Sequence, residues 1–404
     1  MKYIEGGVTA AKGFSASGIY CGIRKNKSKP DLALIYSDVV CSAAAVYTQN
    51  LVKGAPILVT KRNLENGTAK AAICNSGNAN TCNADGEQKA WAMCQLTAKE
   101  LGIAPQNVIV ASTGVIGQVL PLEPIQNALP ALVKALSPTG SADAAKAIMT
   151  TDTELKNLSV ELEIGGKPVR IGGIAKGSGM IHPNMATMLC FLTTDAAVSP
   201  AVLNCALHEA VRDSFNMISV DGDTSTNDMT CILASGLAGN PEIKEGTPEY
   251  AAFTAALKEL CTALARKIAK DGEGATKLLV CRVTGAKSDT DARLTAKGVI
   301  CSSLFKAAMF GADANWGRVL CAIGYSGANT DITKVDVSFA SSAGRIDVCK
   351  NGAGLDFDED TAKQILSQEE INVEITLHDG TFSAEAFGCD LTYDYVKING
   401  DYRT

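Results

Sequence analysis

The chain has 404 residues, enough for two or three domains with substantial cores, and its 46% hydrophobic and 20% charged content argues against a disordered protein. A net charge of −6 without a dense lysine or arginine cluster argues against a nucleic-acid-binding surface. The N-terminal residues form no apolar signal segment, and no apolar run reaches the roughly 18 residues of a membrane span. We therefore expect a cytoplasmic protein without membrane contact.

Strand-like and helical segments alternate along the chain. The pattern predicts strands at 32–40, 56–60 and 107–111, a helix at 89–101, and a β-hairpin at 158–171. Further helices are predicted to begin at Pro200 and Pro248. Residues 289–309 follow a helical pattern, and 333–349 and 371–387 follow hairpin patterns, the second turning at Asp379-Gly380. Mixed helices and mostly antiparallel strands predict an α+β protein with a domain boundary near residue 284.

The 14 cysteines show no CxxC spacing. Without a secretory signal, we expect reduced cysteines that pack as small hydrophobic side chains. Those within apolar stretches are Cys190, Cys281, Cys301 and Cys321. The three histidines are scattered and none pairs with a cysteine at ligand spacing, so the sequence predicts no metal site.

The most informative segment is KGSGMIHPNMATML, residues 176–189, in which Ala186 and Thr187 precede an apolar run. Cleavage between these two residues would free Thr187 as an N-terminus, placing an amine beside its hydroxyl. A threonine hydroxyl needs a base, and an α-amine, with a reference pKa of about 8 against about 10.4 for lysine, is the better base at neutral pH. From the Ala-Thr pair alone, however, an ordinary strand threonine is the commoner interpretation.

Six other motifs extend the pattern: ASTGVIG at 111–117, MTTDT at 149–153, DGDTSTND at 221–228, DGEGATKL at 271–278, GADANWGR at 311–318 and NGDYRT at 399–404. In this order, with segment 176–189, they resemble the ornithine acetyltransferase family (glutamate N-acetyltransferase, ArgJ) along nearly the whole chain. The resemblance implies a layered α/β/β/α core of the self-processing N-terminal-nucleophile type, as in DmpA and ArgJ proteins. It would occupy residues 1–283, followed by a smaller α+β domain at 284–404, with cleavage between Ala186 and Thr187.

The resemblance also implies roles for single residues. Thr187 would be the nucleophile, with its own amine as base, and Thr113 and Gly114 would form the oxyanion hole. A glycine after the strand-like residues 108–110 suits this role, because it lets the backbone approach closely. The expected substrate-binding residues are Thr150, Lys176, Thr187, Glu273, Asn399 and Thr404, although the register leaves open whether Thr150 or Thr151 makes the contact.

The family implies acetyl transfer from N2-acetyl-L-ornithine to L-glutamate in arginine biosynthesis, by ping-pong kinetics through an acetyl-threonine and without a cofactor or metal. It also implies an α2β2 heterotetramer of cleaved chains. Some members of the family also use acetyl-CoA as an acetyl donor to glutamate and are therefore bifunctional. No single residue identifies these members. The resemblance is to bacterial-type members, which favours the bifunctional form.

Two alternatives stay open. An N-terminal-nucleophile aminopeptidase or amidase would share the fold and the cleavage but use water as acceptor. A non-enzymatic calcium- or phosphate-binding module would use segments 221–228 and 271–278. The first lacks the glycine and glutamate of a calcium loop, and the second reverses the order of a P-loop. We interpret 221–228 as a polar turn near the site, and His182 as a structural residue beside the cleavage junction.

Overall fold

The computed structural model describes residues 1–182 and 188–400. The strands are β1 Lys2–Ile4, β2 Phe14–Ile19, β3 Leu32–Tyr47, β4 Thr68–Asn75, β5 Val108–Ser112, β6 Lys156–Ile164, β7 Lys167–Lys176, β8 Leu189–Thr194, β9 Ile218–Ser219, β10 Met229–Ala234, β11 Leu278–Ala286, β12 Asp336–Ser341, β13 Gly344–Lys350, β14 Ala353–Gly354, β15 Glu370–Thr376 and β16 Phe382–Cys389. The helices are α1 Ala55–Asn63, α2 Gly86–Leu101, α3 Leu122–Lys134, α4 Ser141–Ile148, α5 Pro200–Arg212, α6 Pro248–Lys270, α7 Asp289–Cys301, α8 Ser303–Phe310, α9 Trp316–Tyr325, α10 Glu359–Leu366 and α11 Tyr393–Gly400.

Strand β3 organises the larger sheet, whose strand order is β1-β6-β7-β8-β10-β3-β4-β5, with β2 also paired to β3. The first half of β3 pairs with β2 and β4, and the second half pairs with β10. Between Tyr36 and Cys41 the register with β4 shifts, and Val40 at this point is 54% exposed. A bulge of this kind bends a strand, so the two halves of β3 can belong to different layers.

Three buried clusters show that the sheet folds into two layers. Ala33 and Ile35 of β3 share one cluster with inward-facing residues of β4, β5, β8 and β10. Leu34 lies in a second cluster with α2 and α3, and Val46 lies in a third with α5 and α6. Because successive side chains point to opposite faces of a strand, the order is helices, strands, strands, helices. The predicted α/β/β/α core is confirmed.

The second sheet has the order β14-β13-β12-β15-β11-β16-β9 and packs against α7, α8, α9 and α10 through a separate buried cluster. Most of its strands follow residue 278, but β9 comes from residues 218–219 and pairs with β16. The boundary predicted near residue 284 falls within β11, and the division into two domains stays a prediction.

Most of the predicted elements are present. The hairpin at 158–171 is the antiparallel pair β6–β7, helices begin at Pro200 and Pro248, and antiparallel pairings outnumber parallel ones among the described strands. The first predicted strand continues past residue 40 to Tyr47. Alanines at 43–45 hid this extension, because alanine has a low strand propensity and here faces buried surroundings on both sides.

The strand predicted at 56–60 is wrong, because these residues belong to helix α1. The run Pro-Ile-Leu-Val-Thr is rich in β-branched residues, and a short apolar run does not distinguish a strand from a buried helix. Pro56 lies in the first turn of α1, where the N–H that proline lacks would have no partner within the helix. Ile57, Thr60 and Asn63 lie on the buried face of this helix.

In the C-terminal half, the helical prediction is confirmed with one interruption, and one hairpin prediction is wrong. Residues 289–309 form two helices, because Ser302 ends α7 and its side chain caps α8 by accepting a hydrogen bond from the Phe305 amide. Residues 371–387 do not form a hairpin: β15 and β16 each pair with β11, which lies between them. Local periodicity identifies the strands but contains no information about a third strand inserted from elsewhere in the chain.

The cysteine prediction holds for Cys190 and Cys281, which are buried, but Cys321 is exposed and Cys301 is half-buried. Cys321 lies in α9, a helix that buries Val319, Ala322 and Ile323 on one face. Cys321 lies on the face that is exposed to solvent. None of the described helices is long and apolar enough to cross a membrane.

Candidate active site

A cavity of about 560 Å³ opens where strand ends from both layers meet. The turn after β5, the end of β7, the beginning of β8 and the residues directly before β10 all contribute to its wall. It brings together six residues predicted from the sequence: Thr113, Gly114, Thr150, Lys176, Glu273 and Asn399. Thr151 lines the cavity as well, so both register choices remain. Ala186, Thr187 and Thr404 lie outside the described residues.

The turn after β5 presents two hydrogen-bond donors to the cavity. Gly114 has φ +125°, and a Cβ there would lie 2.7 Å from the carbonyl carbon of Gly77, so no other residue fits this close approach. The Thr113 amide donates to the carbonyl of Asn75 over 2.9 Å. Within residues 1–182 and 188–400, nothing accepts a hydrogen bond from the Thr113 hydroxyl or the Gly114 amide. Both are therefore available to an oxyanion.

Lys176 ends β7 and supplies a cation to the cavity. Its residue is 8% exposed, and its ammonium has no hydrogen-bond or ion-pair partner in the described part of the chain. Asp152 and Asp228 interact with it only through their charges. A largely desolvated ammonium gains strongly from a carboxylate partner, which suits Lys176 to an anionic substrate group.

Glu273 and Asn399 lie together on another part of the wall. The Glu273 amide donates to the carbonyl of Ser178 over 3.0 Å, and the Asn399 side-chain amide donates to Glu273 Oε2 over 2.8 Å. Asn399 belongs to α11, whose Tyr395 hydroxyl also donates to Asp221 Oδ2 over 3.3 Å. A carboxylate held in this way is suited to a substrate amine.

Segment 221–228 ties the cavity wall together. The Asp221 carboxylate accepts hydrogen bonds from the amides of Met180 and Ile181 over 2.7 and 2.8 Å. The Asn227 side chain donates to the carbonyl of Ala79 over 2.6 Å. These contacts join the loop after β7 to the opposite layer, as expected of a polar turn near the site.

The two loops considered for calcium and phosphate make other contacts. Both oxygens of Asp221 are used by backbone amides, and the Lys277 ammonium donates to the carbonyl of Met309 over 2.5 Å. Among the residues that the structure describes, no group of three metal-ligating side chains is present.

Asp228 is a charged cavity residue to which the sequence analysis assigned no separate role. It is 3% exposed, and its Oδ2 has no hydrogen-bond partner in the described ranges. Burial raises the pKa of this carboxyl well above its usual value, although Ser225 and Lys176 act in the opposite direction. The available signal was a carboxylate directly before the buried strand 229–234, but a polar turn explains the same pattern.

His182 is held beside the start of β9. Its Nδ1 lies 3.2 Å from Ser219 Oγ and 3.4 Å from Cys301 Sγ, and its carbonyl accepts a hydrogen bond from Thr224 Oγ1 over 2.8 Å. Burial and the positive charge of Lys297 lower the pKa of His182 to about 4. The ring is therefore neutral at pH 7 and serves these contacts, in line with a structural role.

Comparison with known proteins shows the family of the chain. The chain matches the sequence model of the ArgJ family over residues 15–404. The chain belongs to the ArgJ family. Its relative named arginine biosynthesis bifunctional protein ArgJ, from Symbiobacterium thermophilum, is 54% identical over 406 residues and covers 100% of both chains.

Two solved structures match parts of this ArgJ-family chain. ArgJ from Bacillus halodurans is 45% identical with a TM-score of 0.50, and the match covers 52% of this chain and 98% of that one. Ornithine acetyltransferase from Mycobacterium tuberculosis, complexed with ornithine, is 34% identical with a TM-score of 0.43, and the match covers 46% of this chain and 99% of that one.

The lowered pKa of His182 predicts a pH dependence of stability. Between about pH 6.5 and 4 the unfolded histidine binds a proton that the folded one excludes, so stability falls as the pH falls through this window. With allowance for partial exposure, the loss is about 1–2 kcal/mol. We expect His182→Gln to lose less stability than the parent between pH 7 and 4.5 in urea denaturation.

The exposed His208 supplies the control, since His208→Gln should retain the parental slope. Asp228, whose raised pKa acts with the opposite sign, is present in all three proteins and cancels in the comparison. Equal slopes for His182→Gln and the parent would contradict a neutral, buried ring.

Proposed function

We propose that this chain transfers the acetyl group of N2-acetyl-L-ornithine to L-glutamate through an acetyl-enzyme formed on Thr187, in arginine biosynthesis in the cytoplasm. The observation that carries the proposal is the convergence of Thr113, Gly114, Lys176 and Glu273 on one cavity, beside Met188, which is joined to position 187 by a peptide bond. The scheme requires no cofactor or metal.

In the first half-reaction, the Thr187 hydroxyl attacks the acetyl carbonyl while its terminal amine takes the hydroxyl proton. The Thr113 hydroxyl and the Gly114 amide donate to the oxyanion. The C–N bond then breaks, and the proton held by the amine passes to the leaving nitrogen of ornithine. Lys176 holds the α-carboxylate throughout, and Glu273, supported by Asn399, holds the free side-chain amine of N2-acetylornithine.

In the second half-reaction, the amine of glutamate attacks the acetyl ester and gives up a proton to the Thr187 amine. The C–O bond then breaks, and that proton passes to the Thr187 oxygen. One cavity serves both substrates because both carry an α-carboxylate that Lys176 can bind. We infer that acetyl-CoA is a second donor to the same threonine, which the bifunctional names of the family support.

Self-cleavage between Ala186 and Thr187 supplies the amine base. The predicted fragments hold 186 and 218 of the 404 residues. The Bacillus halodurans chain is matched over 98% of its length yet spans 52% of this chain, whereas the full-length relative matches throughout. A separate chain of about half length supports cleavage in the family, and we propose that two pairs of fragments assemble as an α2β2 heterotetramer.

Thr187→Ala removes the hydroxyl on which both cleavage and transfer depend. We expect one band near the full 42.0 kDa on a denaturing gel, and no acetyl transfer. The parent should give two fragments, and N-terminal sequencing should find threonine first in one of them. Thr187→Ser keeps a hydroxyl and should still cleave. A processed Thr187→Ala protein would remove Thr187 from its role.

Thr113→Val removes one donor to the oxyanion and keeps the side-chain shape. We expect kcat to fall by about 10²–10³-fold, since one such donor contributes about 2.7–4 kcal/mol to the transition state, with little change in KM. Thr376→Val, on a strand of the second sheet away from the cavity, is the matched control. A kcat within a few-fold of the parent would exclude the hydroxyl from the oxyanion hole.

The acceptor distinguishes transfer from hydrolysis. With N-acetylornithine alone we expect a burst of ornithine that stops at about one equivalent per site, because the acetyl ester waits for an amine acceptor. Added glutamate should restore turnover and yield N-acetylglutamate. Continued release of acetate without glutamate would assign the chain to the aminopeptidase or amidase class instead.

A further inference from the structure

Three buried charged side chains lie behind the cavity and form what we call the buried ionic link: Asp152, Lys156 and Asp271. Lys156 Nζ lies 2.8 Å from Asp152 Oδ1 and 2.5 Å from Asp271 Oδ2, and the three side chains are 0%, 0% and 3% exposed in chain order. None of them lines the cavity. Buried ion pairs contribute little to stability, because the cost of desolvating the charges offsets their attraction. The effect of these three residues therefore lies in the geometry that they impose on the backbone.

Asp152 fixes the backbone beside two cavity residues. Its Oδ2 accepts a hydrogen bond from the Thr150 amide over 3.0 Å, and its Oδ1 accepts one from the Gly177 amide over 2.7 Å, directly after Lys176. Although burial opposes it, the positive charges of Lys176 and Lys156 hold the pKa of Asp152 well below its usual value. The carboxylate is therefore ionised and bound to both segments.

Asp271 fixes the segment on the other side of the link. Its carboxylate accepts hydrogen bonds from the amides of Thr153 and Glu154 over 3.0 and 3.2 Å. Its carbonyl accepts a hydrogen bond from Ser178 Oγ over 2.6 Å, and the Ser178 carbonyl in turn accepts the Glu273 amide over 3.0 Å. The contacts form a closed circuit through the three segments that carry Thr150, Lys176 and Glu273.

We propose that Asp152, Lys156 and Asp271 are positioning residues that set the distance between the carboxylate-binding Lys176 and the amine-binding Glu273, and so determine affinity for α-amino-acid substrates. The inference rests on the proposed function for the identity of those substrates. Because the link touches no reacting atom, it acts on substrate binding far more than on the rate of acetyl transfer.

Asp152→Asn tests the link with the smallest change. An amide oxygen in place of Oδ1 keeps the contacts to Lys156 and Gly177, but the amide nitrogen then faces the Thr150 N–H, donor against donor. We expect KM for both N-acetylornithine and glutamate to rise at least about tenfold, about 1.4 kcal/mol of binding, with kcat within about threefold of the parent and self-cleavage complete.

Asp213→Asn is the matched control. Asp213 contacts Arg212, Lys258 and Arg293 and does not line the cavity. It should lower Tm as Asp152→Asn does and leave both KM values unchanged. If Asp152→Asn lowers Tm but keeps both KM values within about twofold of the parent, the link is merely structural and the proposal is overturned.

A double-mutant cycle with Lys176→Met shows whether Asp152 acts through Lys176. The double variant should have a KM no higher than Lys176→Met alone, because the group that Asp152 positions is already absent. Independent, multiplying increases in KM would overturn the proposal. Should Asp152→Asn fail to fold, Asp271→Asn is judged by the same KM criteria and the same control.

Calorimetric titration of the same proteins with glutamate separates this inference from the proposed function. A parent protein that transfers no acetyl group, yet binds glutamate more tightly than Asp152→Asn, would refute the function and support the link. A parent that transfers acetyl while both proteins bind glutamate equally would support the function and refute the link.

Discussion

Strand β3 crosses from one layer of the sandwich to the other, and its bulge between Tyr36 and Cys41 marks the crossing. Because side chains alternate along a strand, residues such as Ala33 and Ala43 face the interior between the layers from both halves. The same crossing lets the turn after β5 approach the start of β10 from the opposite layer. The cavity therefore lies where strand ends from the two layers that β3 joins come together.

Inside that frame, unlike charges are kept apart by backbone contacts. Lys176 has no direct partner among the described residues, Glu273 is held by Asn399, and Asp228 is buried without a partner for one oxygen. Left to themselves, a desolvated ammonium and carboxylate would pair and close the site. The carboxylates of Asp152 and Asp271 are bound to the backbone of the segments on either side. Under the proposed function, these segments hold Lys176 and Glu273 apart, and the charge pairs form with a bound amino acid instead.

The sequence predicted much of the site and little of its support. Motif positions identified Thr113, Gly114, Lys176, Glu273 and Asn399, which lie up to 286 residues apart, and all five line one cavity. The sequence did not predict the buried ionic link behind the cavity, because nothing around Lys156 in the sequence indicates that Asp152 and Asp271 surround it. The segment that carries Thr187 lies outside the described residues, so its role still rests on the motif.

The sequence by itself determined most of the elements, since hairpin and helix periodicity, proline starts and the order of the motifs are local properties of the chain. Only the tertiary structure decided which elements are neighbours. The insertion of β11 between β15 and β16, the helix at Ala55–Asn63 and the double membership of β3 all depend on what a segment packs against. The central strands are buried on both faces, so their sequences show no alternation of polar and apolar residues that would indicate which face packs against which layer. For that reason the layers could be inferred only from the family resemblance.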